Sequence, residues 1–91
     1  MVAIPRSATL TETFIGTHPA HGCHVTYKRY GNLIRGGRPI EWVSCETVWP
    51  SGTTRSFTSQ ATGSTIREID EIFAKLAARY TVNASHTRHA S

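Results

Sequence analysis

The sequence predicts an α+β domain in which an antiparallel sheet of about four strands is packed on one face by a single C-terminal amphipathic helix. Three observations carry this. Ile66, Ile69, Ile72, Phe73, Leu76, Ala77 and Tyr80 recur at steps of three and four, which places them on one stripe of a helix. Upstream, stretches rich in Thr, Val and aromatic residues alternate in polarity with period two and are separated by Gly and Pro. Finally, Pro50-Ser51-Gly52 sits between two such stretches with the chemistry of a hairpin turn. With 91 residues the chain supports one core and no second domain.

The first strand is expected over residues 8–15, where Leu10 and Phe14 share one parity and Thr9, Thr11 and Thr13 the other. Glu12 falls on the Leu10 and Phe14 side, an anomaly for an apolar face. Residues 16–22, with two glycines and Pro19, read as a loop. In residues 23–30 the parity is clearer, with Cys23, Val25 and Tyr27 directed inward and His24, Thr26 and Lys28 outward. The stretch 31–39 carries Gly31-Asn32 and Gly36-Gly37, so it is expected to form an irregular or bulged connection with a short strand near 33–35. Residues 40–49 make the third strand, and Phe57 points inward from a fourth over 53–59.

The helix is expected over 65–81, opened by Thr65 as N-cap with Glu68 three residues on, the pattern of a capping box. Its stripe has no partner except the sheet. The expected core is Leu10, Phe14, Val25, Tyr27, Val43, Cys45, Trp49, Phe57 and the helix stripe. Residues 1–7 read as a flexible N-terminus, 8–81 as the domain, and 82–91, which lack periodicity and any apolar residue larger than Ala beyond Val82, as a mobile polar tail.

Composition narrows the function classes. Apolar residues make 38% of the chain and charged residues 18%, with no run approaching a membrane span and no apolar segment of a secretory leader near the N-terminus. A cytoplasmic location is therefore expected, with Cys23 and Cys45 as reduced, buried thiols. The net charge of +4 is concentrated in the sheet region, since the helix balances Arg67, Lys75 and Arg79 against Glu68, Asp70 and Glu71.

No cofactor or metal is expected. His18, His21, Cys23 and His24 cluster within seven residues, but zinc sites draw paired ligands from two separated knuckles, and no second knuckle is present. Cysteines on a core-facing parity are inert, and Gly36-Gly37 lacks the lysine and the strand-to-helix context of a phosphate loop. No catalytic residue is assigned and the chain is read as a non-enzyme, with a His18, His21 or His24 pocket for a small ligand or a reaction kept as an alternative.

Two surfaces remain. Lys28, Arg29, Tyr30, Arg35, Arg38, Trp42 and Arg55 combine cations with stacking side chains, the materials of a nucleic-acid face. Tyr30, Leu33, Ile34, Trp42 and Val48 offer an apolar face suited to a homodimer. The strand–turn–strand–helix layout of residues 40–80 is loosely similar to the three-stranded DNA-binding domains at the start of phage integrases. The size of the chain and its lack of motifs also resemble small cargo proteins of mobile elements such as phages and integron gene cassettes. The leading expectation is a small, non-catalytic binding module that self-associates, with a protein or nucleic-acid partner and no membrane.

Overall fold

The computed structural model describes residues 3–80 and 84–89, with residues 32–35 in backbone only. The elements are β1 (Thr9–Thr17), β2 (His24–Arg35), β3 (Arg38–Val48), β4 (Thr54–Thr62), a 3-10 turn (Gly63–Thr65), α1 (Ile66–Arg79) and β5 (Ala84–Arg88). One sheet holds all the strands in the order β4-β3-β2-β1-β5, and every neighbouring pair is antiparallel. The architecture is α+β, with five strands rather than about four. The additional strand comes from the stretch expected to be a mobile tail, whose residues 82–83 and 90–91 lie outside the described set, as do Met1, Val2 and Thr81. No helix among the described residues is long and apolar enough to cross a membrane.

The two tighter hairpins follow from their turn residues. Between β3 and β4 the Trp49 carbonyl accepts the Gly52 N–H at 2.9 Å, and Gly52 takes φ 92°, a conformation open to glycine at little cost. Between β2 and β3, Gly36 and Gly37 both adopt positive φ, 58° and 76°, as a two-residue hairpin turn requires. That turn is tight enough for β2 to continue to Arg35, so the expected irregular connection is strand, with its bulge confined to Tyr30–Leu33.

A second bulge, between Leu10 and Glu12, decides which side chains face the helix. It sets Leu10 opposite Tyr30 but Glu12 opposite Arg29, so Leu10 leaves the face it would share with Phe14 and stays half-buried outside the main core. Glu12 and Arg29 remain on the helix side. Further along β1, Gly16 is not the start of a loop. A Cβ there would lie 3.0 Å from the Phe14 ring and 3.3 Å from Tyr80, so the glycine lets the end of the helix approach the sheet.

The helix begins through the 3-10 turn rather than at a Thr65 cap. Thr65 has helical dihedrals and makes no side-chain cap bond to the helix; its hydroxyl instead accepts the Thr62 N–H at 3.0 Å and donates to the Thr62 carbonyl at 2.6 Å. The core joins Phe14, Val25 and Val43 of the sheet to Ile69, Phe73, Leu76 and Tyr80, with Tyr27 and Ala61 packed at its margin. Each such side chain contributes roughly 1.5–3 kcal/mol by leaving water.

The helix crosses the sheet diagonally, from the end of β4 to Gly16 on β1. A helix of 14 residues is about 21 Å long, too short to cover the whole face. Two corners stay open. At the β3–β4 turn, Trp49 and Phe57, both expected in the core, are exposed, Phe57 by 53%. At the diagonally opposite corner lies a cleft lined by charged side chains from four strands and the helix.

Candidate functional site

The charged corner is built around Arg29, whose parity with Val25 and Tyr27 aims it beneath the helix. Its Nε donates to Glu41 Oε1 at 2.5 Å. Its Nη1 donates to Glu12 Oε1 at 3.1 Å and to Asp70 Oδ1 at 2.5 Å. One guanidinium thus ties β1, β3 and α1 to β2. The second Glu12 oxygen bonds His86 Nε2 on β5, with Arg88 Nε 3.7 Å away. The Glu12 side chain is 7% exposed and that of Arg29 13%, so these charges are held largely out of water and satisfied by one another. Burial pulls the Arg29 guanidinium down, but the hydrogen bonds and charges of Glu41 and Asp70 outweigh it and hold its pKa above the ordinary value.

The cleft around this cluster has a volume of about 630 Å³ and is bounded by Thr11, Phe73, Ala74, Ala77 and His89 as well as the charged groups. The cluster thus gathers Glu12, Glu41 and Asp70 around Arg29, with Arg88 and His86 on the β5 side. The geometry suits a fastening between elements, because the buried carboxylate has both oxygens committed within the protein. The alternative of a pocket at His18, His21 or His24 concerns other residues, since the histidines lining this cleft are His86 and His89.

Each histidine of the earlier cluster has a local role. His18 Nδ1 accepts the N–H groups of Ala20 and His21, both at 3.2 Å, and its ring stacks on His21 with centroids 4.6 Å apart. His24 Nδ1 meets the Thr17 hydroxyl at 2.9 Å across the strand pair. Cys23 and Cys45 are buried, free thiols. Among the described residues, no group of three or more His, Cys, Asp or Glu side chains is arranged to hold a metal ion.

Near Cys45, burial and then the thiol itself push the Tyr27 phenol well above its ordinary pKa, and burial raises that of Tyr80. An unfolded tyrosine ionises near pH 10, so above that pH the unfolded chain gives up protons that the folded chain keeps. This contribution to stability is complete below about pH 10 and is lost as the pH rises further. The urea midpoint should therefore fall steeply between about pH 10 and pH 11.5, and Tyr27→Phe should flatten that fall. A profile identical in the two proteins would mean that Tyr27 is not protected.

The basic and aromatic set does not come together as one face. Arg29 is sequestered under the helix, and Trp42, expected on an exposed surface, is 3% exposed. Trp42 alternates with the helix-facing Val43, so it is buried with Ile40 on the reverse side of the sheet, outside the main core. Lys28 is exposed on that reverse side, Arg38 stands at the β2–β3 turn, and Arg55 projects from β4 on the helix side. Of the apolar set, Tyr30 and Val48 are half-buried. The side chains of Leu33, Ile34 and Arg35 lie outside the described residues.

The other open corner borders β4, an outer strand of nine residues. Trp49 N–H donates to the Thr53 carbonyl, and the pairing proceeds without a shift from Val48↔Thr54 to Ile40↔Thr62. Antiparallel pairs alternate between bonded and non-bonded, so Arg55, Phe57, Ser59 and Ala61 bond β3. Thr54, Ser56, Thr58, Gln60 and Thr62 then turn their N–H and C=O groups outward. The Thr65 hydroxyl occupies those of Thr62. Phe57, in mid-strand, packs edge-on against Tyr27 at 6.5 Å and leaves half its surface to solvent.

No family model, no curated protein and no solved structure matches this chain.

Proposed function

We propose that the protein is a non-catalytic interaction module that self-associates by adding a strand to the outer edge of β4. The observation that carries this is the edge itself. Soluble proteins protect outer strands by shortness, charge, proline or a bulge. β5, the opposite edge, is five residues long and carries His86 and Arg88. β4 has nine residues, no proline, no bulge and a single charge, Arg55. Beside it lie the exposed Phe57 and Trp49, so a strand added there also covers apolar surface. The closed network of Glu12, Arg29, Glu41 and Asp70 supports a structural use of the charged corner, and the burial of Arg29 and Trp42 removes two members of the basic, aromatic set from any nucleic-acid face.

Thr58→Pro tests the reading. Proline removes an outward N–H and leaves every β3–β4 bond in place, a position at which outer strands tolerate it. Light scattering after size exclusion should show the native protein as a dimer, at low and high salt and with or without duplex DNA. The Thr58→Pro variant should elute as a monomer with an unchanged circular dichroism spectrum. A native monomer that shifts with duplex only at low salt would make nucleic-acid binding the better account, and a Thr58→Pro dimer as tight as the native one would remove the β4 edge from the interface.

A further inference from the structure

We infer that the strand added to β4 is β4 of a second copy, paired antiparallel about a two-fold axis that passes between the two Phe57 residues. This rests on the strand-addition reading and goes further by fixing the partner and the register.

The free backbone groups of β4 limit how a second strand can pair with it. The alternation in β4 is anchored at the Trp49–Thr53 bond, and the rest of the sheet agrees with it. His18 N–H donates to the Cys23 carbonyl and His89 N–H to the Thr11 carbonyl, so β2 turns its odd-numbered residues toward β1, and β1 turns its odd-numbered residues toward β5. The outward groups of Thr54, Ser56, Thr58 and Gln60 have no hydrogen-bond partner among the described residues.

Two copies of such an edge pair symmetrically only in a few registers, because outward-facing residues must meet outward-facing residues. If Thr58 meets Thr58 of the second copy, Thr54 falls opposite Thr62, whose groups Thr65 already uses. If Ser56 meets Ser56, Gln60 falls beyond the partner strand, opposite Gly52 in the turn. If Arg55 meets Arg55, like charges face each other directly. One register avoids all three faults. Thr54 pairs with Gln60 and Ser56 with Thr58, so every free donor and acceptor on both edges is used.

In that register, side chains meet where the chemistry favours it. Phe57 lies opposite Phe57 in a non-bonded pair, the position at which side chains approach most closely and aromatic pairs contribute most. Arg55 lies opposite Ser59, with no charge against it. The axis is perpendicular to the sheet, so both helices sit on the same side of one continuous sheet, and the two open apolar corners flank the axis. Across the axis each Phe57 shields the side of the other that the helix leaves to solvent.

A charge cycle reads the register directly. Ser59→Arg should weaken dimerisation about tenfold, since symmetry places the introduced arginine opposite Arg55 of the other copy at two points. Arg55→Glu alone should leave the dimer near its native affinity. Arg55→Glu combined with Ser59→Arg should return it to native affinity or better, a recovery that a folding defect in either single variant cannot produce. The readout is the dimer dissociation constant by sedimentation, with circular dichroism on each variant. Additive effects in the double variant, alongside a Thr58→Pro variant that is monomeric, would overturn this register and leave strand addition standing. A dimer unmoved by Thr58→Pro would overturn both.

Discussion

Replacing Arg29 by methionine is expected to remove roughly 3–5 kcal/mol of stability, the loss typical when a buried ion pair is stripped of one partner. Methionine keeps much of the apolar stem but leaves the buried Glu12 with His86 and the more distant Arg88 alone. Asp70 contributes little to the loss, because its side chain is 61% exposed and can turn to water. Glu12 cannot do so. The cost should therefore shrink when Arg29→Met is combined with Glu12→Gln, since no uncompensated charge then remains under the helix, and the coupling between the two positions should be well over about 1 kcal/mol. Urea midpoints at neutral pH give all four corners of that cycle. Additive losses would mean that the cluster is a set of separate surface pairs rather than one fastening.

The sequence carried the elements whose order comes from local chemistry. The helix stripe needs only its own period to be recognised, and the Pro50-Ser51-Gly52 turn needs only its own residues. The misreadings share a different cause, which is that packing between distant segments decided the outcome. A bulge moved Leu10 off the core face, and no residue type announces a bulge there. Gly16 looked like a loop opener, although its use is to admit Tyr80. Phe57 looked like core because the strand pattern says nothing of how far a 14-residue helix reaches. β5 has no apolar alternation to reveal it, being held by backbone pairing to β1 and by His86. For the charged corner, a signal was present. Glu12 shares the parity of Phe14, and Arg29 that of Val25 and Tyr27. An acid on a core-facing parity requires a buried partner, and an arginine on the same face of the same sheet is the first place to look.

Phe73→Ala is expected to cost roughly 3–5 kcal/mol, as large-to-small changes at buried aromatic sites do. Phe73 is buried, meets the Tyr27 ring at 6.4 Å, and stacks on His86 with centroids 5.7 Å apart. It is thus the point at which the most legible element of the sequence holds the least legible one. The loss should have two parts. One is the cavity, felt by the whole fold. The other is local, because without the ring His86 loses one wall of its site, and β5, whose residues are all exposed, depends on that side chain more than on burial. Leu76→Ala provides the comparison, since it makes a cavity of a similar class at roughly 2–5 kcal/mol but on the other flank of the helix, with Tyr27 and Arg79. Amide hydrogen exchange separates the parts. In Leu76→Ala, protection of Ser85 and Thr87 should fall only as far as global stability falls, whereas in Phe73→Ala it should fall further than the loss measured by urea. Equal behaviour of β5 in the two variants would show that the strand is held by its pairing with β1, and that the contact between Phe73 and His86 contributes nothing to its docking.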